Sequence, residues 1–378
     1  MSAKPRTILV AHPSADLYGS DRMLLESVAA MVAQGWQVVV TLPGPGPLVP
    51  ELAAQGAEVR FCPVPVLRKS VLRPAGLARF LVASVASVLP CCRLIARFGG
   101  GGVYVNTMTI PSWLLLARVM RRRVTAHVHE AEGSASARMR RLLSLPLLLA
   151  HRIVVNSTFS LDVLSSANRL LRTRATVIYN GVVGPRKVTP ARQVLDQPVR
   201  LLYVGRLSPR KGPQVAVAAA AELRRRGRDV RLDLLGSVYP GYEWFEAELR
   251  AAVATAGLED LVTFLGFDAD IWSHVQAADV VLVPSVVDEP FGNTAVEALL
   301  AARPLVVSAT SGLLEAAAGY ASATAVPPDR PDLLAAAVEA VIDDWERVRA
   351  GAVQDSAVAE QRHSVQRYRQ QVIQALTF

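Results

Sequence analysis

The sequence predicts an α/β protein built from two doubly wound parallel sheets. The chain has 378 residues, a length that suggests about two domains. Short apolar runs alternate with longer helical patterns through both halves, which is typical of β-α-β units in a parallel sheet. Hydrophobic residues make up 51% of the chain, enough for two substantial cores.

The first predicted domain comprises residues 1–183. Its apolar runs predict strands at Ile8–Ala11, Gln37–Thr41, Glu58–Phe61, Val103–Asn106, Val124–Val128, Ile153–Asn156 and Thr176–Tyr179. The stretches Ser20–Gln34 and Ala75–Arg97 lie between these runs and are predicted as helices.

A linker at 184–198, rich in proline and polar residues, separates this half from a second domain at 199–352. Strands are predicted there at Arg200–Val204, Arg231–Leu235, Val262–Leu265, Val280–Val283 and Leu305–Ser308. Helices are predicted at Pro213–Arg226, Tyr242–Ala256, Asn293–Ala301 and Pro331–Arg349, and the charged tail 353–378 also reads as helical. Two similar halves around one linker imply a cleft, which is a usual place for ligands.

The segment Asp288–Glu297 places two acids around a predicted helix start. Glu289 follows the strand at Val280–Val283 and therefore lies beyond its carboxyl end, where open α/β sheets bind ligands. Glu297 lies within the next helix. The backbone amides at that helix start favour anions, phosphate above all; they belong to Phe291, Gly292, Asn293 and Thr294. A phosphate seat with an acid on each side suits a nucleotide sugar.

This pattern resembles the retaining glycosyltransferases of family 4, which have the GT-B fold of two Rossmann-like domains facing a central cleft. The resemblance covers nearly the whole chain and is strongest from Leu201 to Glu315. It implies that Glu289 contacts hydroxyls of the transferred sugar and that Glu297 contacts the nucleotide ribose. It also implies that the tail 353–378 returns to the first domain.

A second motif follows the first strand of the second half. The run from Gly205 to Gly212 resembles the Gly-Arg…Lys-Gly signature of the family. The resemblance implies that Arg206 and Lys211 neutralise the donor diphosphate, and two cations can replace a metal ion in that role. The alternative is a solvated basic turn, but cations oppose the dipole of a helix start, so an anionic partner explains them better.

Other positions depart from the family pattern. A Gly-Gly pair near the donor phosphates is replaced by Gly19 and Ser20, and a helix N-cap role for Ser20 or Asp21 is the alternative reading. Before Glu315, Ser311-Gly312 replaces a second Gly-Gly pair. Asn180-Gly181-Val182 resembles the hinge signature of the family.

Two histidines end the strand at Val124–Val128. Alternation puts His127 and His129 on one face of the sheet. The resemblance implies that His129, followed by Glu130, contacts the donor sugar, with His127 as second choice. A structural histidine pair is one alternative; zinc is the other, although no third ligand is evident. His12 also ends a strand; we expect it to have a packing role, and a place in the lining of the cleft is the alternative.

Together these motifs predict an enzyme that moves a hexose from a nucleotide diphosphate sugar to a hydroxyl of a glycan or glycolipid, with anomeric retention. UDP- and GDP-sugars are the expected donors, with no metal and no other cofactor. No dedicated nucleophile stands out, which favours same-face attack. The alternative is a degenerate GT-B protein that binds nucleotide or glycan without turnover. A phosphorylase of similar architecture would need a pyridoxal-binding lysine, and none is obvious.

Charge and cysteines bear on location. The net charge is +9, and an arginine-rich, then leucine-rich segment at 118–149 suits an anionic membrane surface; a core helix with a solvated basic end is the alternative. Aromatic residues are only 6%, and no nucleic-acid-binding motif is present, so no nucleic-acid partner is expected. The long uncharged stretches Ser27–Pro50 and Phe98–Ala117 are interrupted, so neither is predicted to span a membrane. Three cysteines without metal-like spacing fit a reduced cytoplasmic protein. The segment 118–149 leaves open a peripheral position at the inner face of the cell membrane.

Overall fold

The computed structural model describes residues 5–67, 71, 73–131, 133, 135–239 and 241–377. By internal contacts the chain divides into two units. Met1–Gly181 and Val365–Phe378 form the first unit, and Val182–Ser364 form the second.

The first unit contains a seven-stranded sheet in the order β3-β2-β1-β4-β5-β6-β7. Every neighbouring pair of strands is parallel. The strands are β1 (Thr7–Ala11), β2 (Gln37–Leu42), β3 (Glu58–Phe61), β4 (Val103–Val105), β5 (Val124–Val128), β6 (Arg152–Val155) and β7 (Ala175–Val177). The helices are α1 (Gly19–Ala33), α2 (Leu48–Ala54), α3 (Pro74–Phe98), α4 (Pro111–Val119), α5 (Ala137–Ser144), α6 (Thr158–Ala167) and α7 (Arg169–Arg172).

The second unit contains a six-stranded sheet in the order β10-β9-β8-β11-β12-β13, and it is also parallel throughout. Its strands are β8 (Val199–Val204), β9 (Val230–Leu235), β10 (Val262–Gly266), β11 (Val280–Val283), β12 (Leu305–Ser308) and β13 (Ala323–Val326). Its helices are α8 (Pro213–Arg225), α9 (Glu243–Thr255), α10 (Trp272–Ala277), α11 (Asn293–Leu300), α12 (Ser311–Ala317), α13 (Pro331–Asp343) and α14 (Trp345–Arg362). Two parallel sheets with interleaved helices confirm the predicted fold class.

The central strands of both sheets are apolar because helices cover the two faces of the sheet. In the first unit one apolar cluster joins Leu9 and Val105 to α3, α4 and α6. A second cluster joins Ile8 and Val10, the alternate side chains of β1, to α1 and α2. The sheet is therefore buried on both sides, as a doubly wound arrangement requires.

The carboxyl-terminal part of the chain differs from the predicted ranges. The predicted helix Pro331–Arg349 is two helices, separated at Asp344, and α14 continues through the predicted boundary at 352 to Arg362. The last helix, α15 (Val365–Leu376), belongs to the first unit, so a shorter segment than 353–378 returns to it. Tyr368 anchors α15 there, because its buried hydroxyl lies 2.7 Å from the hydroxyl of Ser27 in α1.

The predicted linker has no helix or strand, but it packs on the second unit. The guanidinium of Arg192 forms two hydrogen bonds, 2.8 and 2.7 Å long, to the buried carboxylate of Asp279. Arg303, 1% exposed, donates to the carbonyl oxygen of Thr189. These buried contacts hold the segment against the second sheet.

One described helix is long and apolar enough to cross a membrane by length and composition. It runs over Pro74–Gly101, and only 11% of its most apolar stretch of 18 residues is buried. This helix contains the predicted range Ala75–Arg97.

Candidate active site

The carboxyl edge of the second sheet brings two predicted motifs together. Glu289 lies in the loop after β11, and Lys211 lies in a short 3-10 turn, Pro209–Lys211, after β8. The strands β8 and β11 are neighbours, so their carboxyl ends meet. The ammonium of Lys211 donates to Oε2 of Glu289 at 2.8 Å. This ion pair joins two residues 78 positions apart in sequence.

Further hydrogen bonds fix the two loops against each other. The amide of Val286 donates to the carbonyl oxygen of Arg210 at 2.9 Å, and the guanidinium of Arg210 donates to the carbonyl oxygen of Asp288 at 2.9 Å. The hydroxyl of Ser285 donates to Oε1 of Glu289 at 3.2 Å. The side chain of Arg210 is half exposed but also contributes to this structure.

Three glycines allow the backbone to pack closely here. Gly212 has a φ of +74°, and a Cβ there would overlap the carbonyl oxygen of Pro284. Gly292 has a φ of +104° and precedes α11, and a Cβ there would overlap the side chain of Leu313. A Cβ at Gly312 would overlap the carbonyl oxygen of Glu289, to which the amide of Gly312 donates at 3.0 Å. Glycine at these positions is therefore a requirement of the site.

The remaining predicted donor-binding residues of the second unit lie in the segments that follow β8 and β11. Gly205 follows β8 with a φ of +155°, and the guanidinium of Arg206 stacks 4.3 Å from the ring centre of Tyr239. Phe291 is buried against the ring of His363. Asn293 and Thr294 form the first turn of α11, and Glu297 lies within that helix, 9% exposed. Glu315 lies in α12.

In the first unit, His129 belongs to a buried chain of polar side chains. His12, Asn106 and His129 follow or end the three neighbouring strands β1, β4 and β5. Oδ1 of Asn106 lies 3.0 Å from Nε2 of His129, and Nδ2 of Asn106 lies 3.1 Å from Nδ1 of His12. Nε2 of His12 lies 2.6 Å from Oδ1 of Asp21 in α1. Sequence reasoning gave Asn106 and Asp21 no site role, although all four residues stand at or near the carboxyl edge.

The ionisation of Asp21 sets the tautomers along this chain. Burial disfavours the carboxylate, but hydrogen bonds from His12, Tyr18 and Ser14 outweigh it and lower the pKa of Asp21. The anion requires a proton on Nε2 of His12. The amide nitrogen of Asn106 faces Nδ1 of His12, so that ring nitrogen accepts, and the oxygen of Asn106 accepts from Nε2 of His129. His129 then carries a lone pair on Nδ1.

Burial also keeps His129 neutral. Together with the nearby His12, it lowers the pKa of His129 to about 3. A neutral imidazole with one nitrogen tied to Asn106 can offer the other as an acceptor to a ligand hydroxyl. This chemistry agrees with the predicted contact to a sugar.

His127 and Glu130 are placed differently from His129. The rings of His127 and His129 lie 4.0 Å apart between centroids, on the same face as predicted. His127 is fully buried and shares a hydrogen bond with the hydroxyl of Tyr104. Glu130 accepts hydrogen bonds from the hydroxyl of Thr107 and the amides of Met108 and His129, so it ties the loop after β4 to β5. Both side chains thus have structural contacts.

Gly19 and Ser20 form the first turn of α1, which begins at Gly19 and not at a Ser20 or Asp21 cap. Tyr18 is the N-cap residue, and its amide donates to Oδ2 of Asp21 at 2.8 Å. Ser20 is partly buried, and Gly19 is exposed. Asp21, in the same turn, thus accepts from both the amide of Tyr18 and Nε2 of His12.

Among the described residues, no group of three or more His, Cys, Asp or Glu side chains is arranged to hold a metal ion. The cysteines are free, and the sulfurs of Cys62 and Cys91 lie 3.8 Å apart in the core of the first unit.

Two family models match the chain and divide it between them. The model described as Glycosyltransferase Family 4 matches residues 18–183. The model described as Glycosyl transferases group 1 matches residues 187–352. The chain belongs to glycosyltransferase family 4.

Similar curated proteins match less than half of the chain. A 2-deoxystreptamine glucosyltransferase of Streptomyces kanamyceticus is 38% identical over 144 residues, which are 38% of this chain and 36% of that protein. A D-inositol 3-phosphate glycosyltransferase of Pseudarthrobacter chlorophenolicus is 36% identical over 186 residues, 43% of each chain. The chain thus spans less than half the length of the curated relatives it matches.

Solved structures match over nearly the full length. HepE of Anabaena, solved with UDP and glucose, aligns with a TM-score of 0.82 and 23% identity over 98% of this chain and 99% of that one. WaaG, a glycosyltransferase involved in lipopolysaccharide biosynthesis, aligns with a TM-score of 0.70 and 15% identity over 93% and 95%. At these identities the likeness shows the fold, which is GT-B as predicted.

Proposed function

We propose that this chain is a retaining glycosyltransferase that moves a hexose from a nucleotide diphosphate sugar to a hydroxyl of a glycan or glycolipid. The observation that supports it most is the 2.8 Å ion pair between Lys211 and Glu289. It places a cation suited to phosphate beside an acid suited to sugar hydroxyls, at the ligand-binding edge of a parallel sheet.

A UDP-sugar is the first candidate donor, and a GDP-sugar is the second. HepE of Anabaena, which has the same fold, was solved with UDP-glucose. The relative from Streptomyces kanamyceticus is named a glucosyltransferase, which also favours a hexose.

The departing diphosphate would be stabilised by charge. The side chain of Lys211 is one third exposed, and its ammonium has three donors, so it can keep Glu289 and still bind a phosphate oxygen. Arg206, held over Tyr239, would add a second cation. With these two cations and the first turn of α11, the proposal needs no metal ion and no other cofactor.

Retention would follow from attack on the face that the diphosphate leaves. The acceptor oxygen bonds to the anomeric carbon as the bond from that carbon to the phosphate oxygen breaks. The leaving phosphate oxygen takes the hydroxyl proton, so the protein supplies no nucleophile. Glu289 would hold the donor sugar through its hydroxyls while charge develops on the ring. His129 of the first unit would accept a hydrogen bond from a substrate hydroxyl.

Two truncations test the roles of the paired acids. We expect Glu297→Ala to raise the KM for the donor by roughly tenfold, because a buried hydrogen-bond partner of the ribose is lost. Glu289→Ala should instead lower kcat by roughly a hundredfold, because its contacts to the sugar strengthen as the bond breaks. Steady-state kinetics with saturating acceptor separates the two effects.

Glu259→Ala provides the matched control, since Glu259 is an exposed acid of the same unit. It should leave both constants unchanged. Wild-type kinetics in both Glu297→Ala and Glu289→Ala would contradict the site assignment. Release of nucleotide from donor, with or without acceptor, also excludes the alternative of a binding protein without turnover.

The acceptor and the location are part of the same proposal. A lipid-linked acceptor would place the protein in the cytoplasm at the inner face of the membrane. Proton NMR of the product reports its anomeric configuration directly, and inversion would contradict the retaining mechanism.

A further inference from the structure

The first half of α3 exposes apolar side chains that no described part of the chain covers. Val82 and Val85 are 71% and 75% exposed, and Leu89 is 57% exposed. Leu77, Leu81 and Val88 are also among the exposed large hydrophobic residues. We call these six residues the α3 face. An exposed apolar patch of this kind marks an interaction site more often than a bare surface.

The helix has three distinct sides. At about 100° per residue, the α3 face covers an arc of about 140°. The buried residues Ser87, Cys91 and Phe98 lie on a different arc, toward the sheet, and buried Ile95, in the second half, lies at the border of the two arcs. Exposed Arg79, Arg93 and Arg97 lie together on the remaining side, next to the apolar arc. An apolar arc with a basic border is the pattern of a helix that lies in a membrane interface.

The second half of α3 is anchored in the protein. Cys91, Ile95 and Phe98 belong to the apolar cluster that also contains Trp113 of α4. The part ahead of Cys91, Pro74–Pro90, would measure about 25 Å at 1.5 Å per residue, which is less than the ~30 Å of a hydrocarbon core. It also contains Arg79. We therefore infer attachment along the membrane surface and not a transmembrane span.

Neighbouring elements extend the same side of the first unit. α4 packs against α3, and the 3-10 helix Leu145–Leu149 packs against α4. Exposed apolar residues follow this order: Leu115 and Val119 in α4, then Leu142 in α5 and Leu145. The leucine-rich segment singled out from the sequence at 118–149 thus lies in the same helical layer.

Charge identifies the partner as anionic. No Asp or Glu occurs between Glu58 and Glu130, although this stretch contains α3, α4 and all of their arginines. Arg118 is exposed in the last turn of α4, and Arg121 and Arg123 are exposed just after it. Arg138 and Arg141 are exposed in α5. Such basic residues next to an apolar face suit a negatively charged lipid surface. A nucleic acid would contact the arginines, but it would leave the apolar side chains of the α3 face exposed to water.

We propose that the α3 face, bordered by these arginines, docks the first unit on an anionic membrane surface. The apolar side chains enter the boundary between headgroups and acyl chains, and the arginines contact acidic headgroups. This inference is independent of the proposed reaction, because it rests on the surface of the first unit alone. If both hold, the enzyme would be located where lipid-linked acceptors are found.

Vesicle co-sedimentation without donor or acceptor tests the proposal. The full chain is mixed with phosphatidylcholine vesicles that contain or lack phosphatidylglycerol. The double variant Val82→Glu/Val85→Glu should bind the anionic vesicles at least about tenfold more weakly than wild type, because each Glu adds a charge to the inserted arc. High salt should also weaken wild-type binding, since screening removes the headgroup attraction.

The double variant Val353→Glu/Val358→Glu is the matched control. It makes the same change at two exposed valines of α14 in the second unit, and it should bind like wild type. Circular dichroism of both variants confirms that they fold. Failure of the wild type to bind, or equal binding to both vesicle types, would overturn the proposal. A wild-type dimer that only the α3 double variant converts to monomer, without vesicle binding, would assign the face to a second copy of the chain.

Discussion

Asp21 is the residue that controls the buried polar chain of the first unit. Its carboxylate is 1% exposed and accepts hydrogen bonds from His12, Ser14 and the amide of Tyr18. Removing its charge would remove the requirement for a proton on Nε2 of His12. The amide of Asn106 could then reverse, and the lone pair of His129 would move from Nδ1 to Nε2.

Asp21→Asn is expected to lower kcat by roughly ten- to a hundredfold, the effect of losing a hydrogen bond to a charged group. The donor KM should change little, because the substitution keeps size and shape. Nitrogen-15 NMR of histidine-labelled protein should show a changed tautomer at His129. Ser14→Ala is the control, since it removes a hydrogen bond to Asp21 but keeps the charge. An unchanged tautomer in Asp21→Asn would contradict this role.

For single residues, the sequence predicted which side chains belong to the site better than it predicted which side chains they contact. Glu289 and Lys211 could each be assigned from a motif, but their 2.8 Å contact depends on the pairing of β8 with β11. Asn106 was predicted only as a strand end. Its place between His12 and His129 could have been inferred, because all three residues end neighbouring strands of one parallel sheet.

At the scale of elements, α8 joins the site to the second core. It begins after Gly212 and ends before Gly227, and both glycines have a positive φ. A Cβ at Gly212 would overlap Pro284, whereas a Cβ at Gly227 would have no atom within 4 Å. A side chain at Gly227 would therefore cause backbone strain alone, whereas a side chain at Gly212 would cause both backbone strain and steric overlap.

Gly227→Ala should cost about 1–2 kcal/mol of unfolding free energy, the cost of a left-handed conformation in a residue with a side chain. Gly212→Ala should cost about 1–3 kcal/mol more, because the loops around Lys211 and Glu289 must separate. Urea denaturation measures both values. Equal losses in the two variants would show that the close packing at Pro284 is not needed.

Elements with a clear apolar pattern were predicted within one or two residues, as in β5, β11 and β12. The strand β13 was missed because Ala323–Val326 has only one large apolar side chain. The breaks at Asp344 and His363 were missed because helical residues continue on both sides of them. A tertiary contact lies beside the first break, where the indole of Trp345 donates to the carbonyl oxygen of Arg192 at 3.1 Å.

At the scale of the whole molecule, buried neutral histidines should make the protein sensitive to acid. Burial lowers the pKa of His129 to about 3 and, with Arg362, that of His363 to about 4. In the unfolded chain these histidines are protonated below about pH 6.5, whereas in the folded chain they stay neutral to a much lower pH. Below pH 6.5 the unfolded chain therefore binds more protons than the folded chain. The stability is therefore complete above about pH 6.5 and falls as the pH drops toward 4.

Each such histidine contributes up to about 1.4 kcal/mol per pH unit within this window. His363→Leu should remove one contribution and flatten the dependence of unfolding free energy on pH between 6.5 and 4.5. Urea denaturation at several pH values compares the variant with wild type. Identical slopes would contradict a neutral, buried His363.

Donor binding is the property on which the proposed function depends most directly. The decisive measurement is the thermal unfolding of the whole chain with UDP, GDP, ADP or dTDP, in the absence of metal. One nucleotide should raise the Tm clearly, because a ligand stabilises the state that it binds, and the increase should vanish in Lys211→Ala. The absence of a shift with all four nucleotides, or an equal shift in Lys211→Ala, would contradict a nucleotide-sugar site at Lys211 and Glu289.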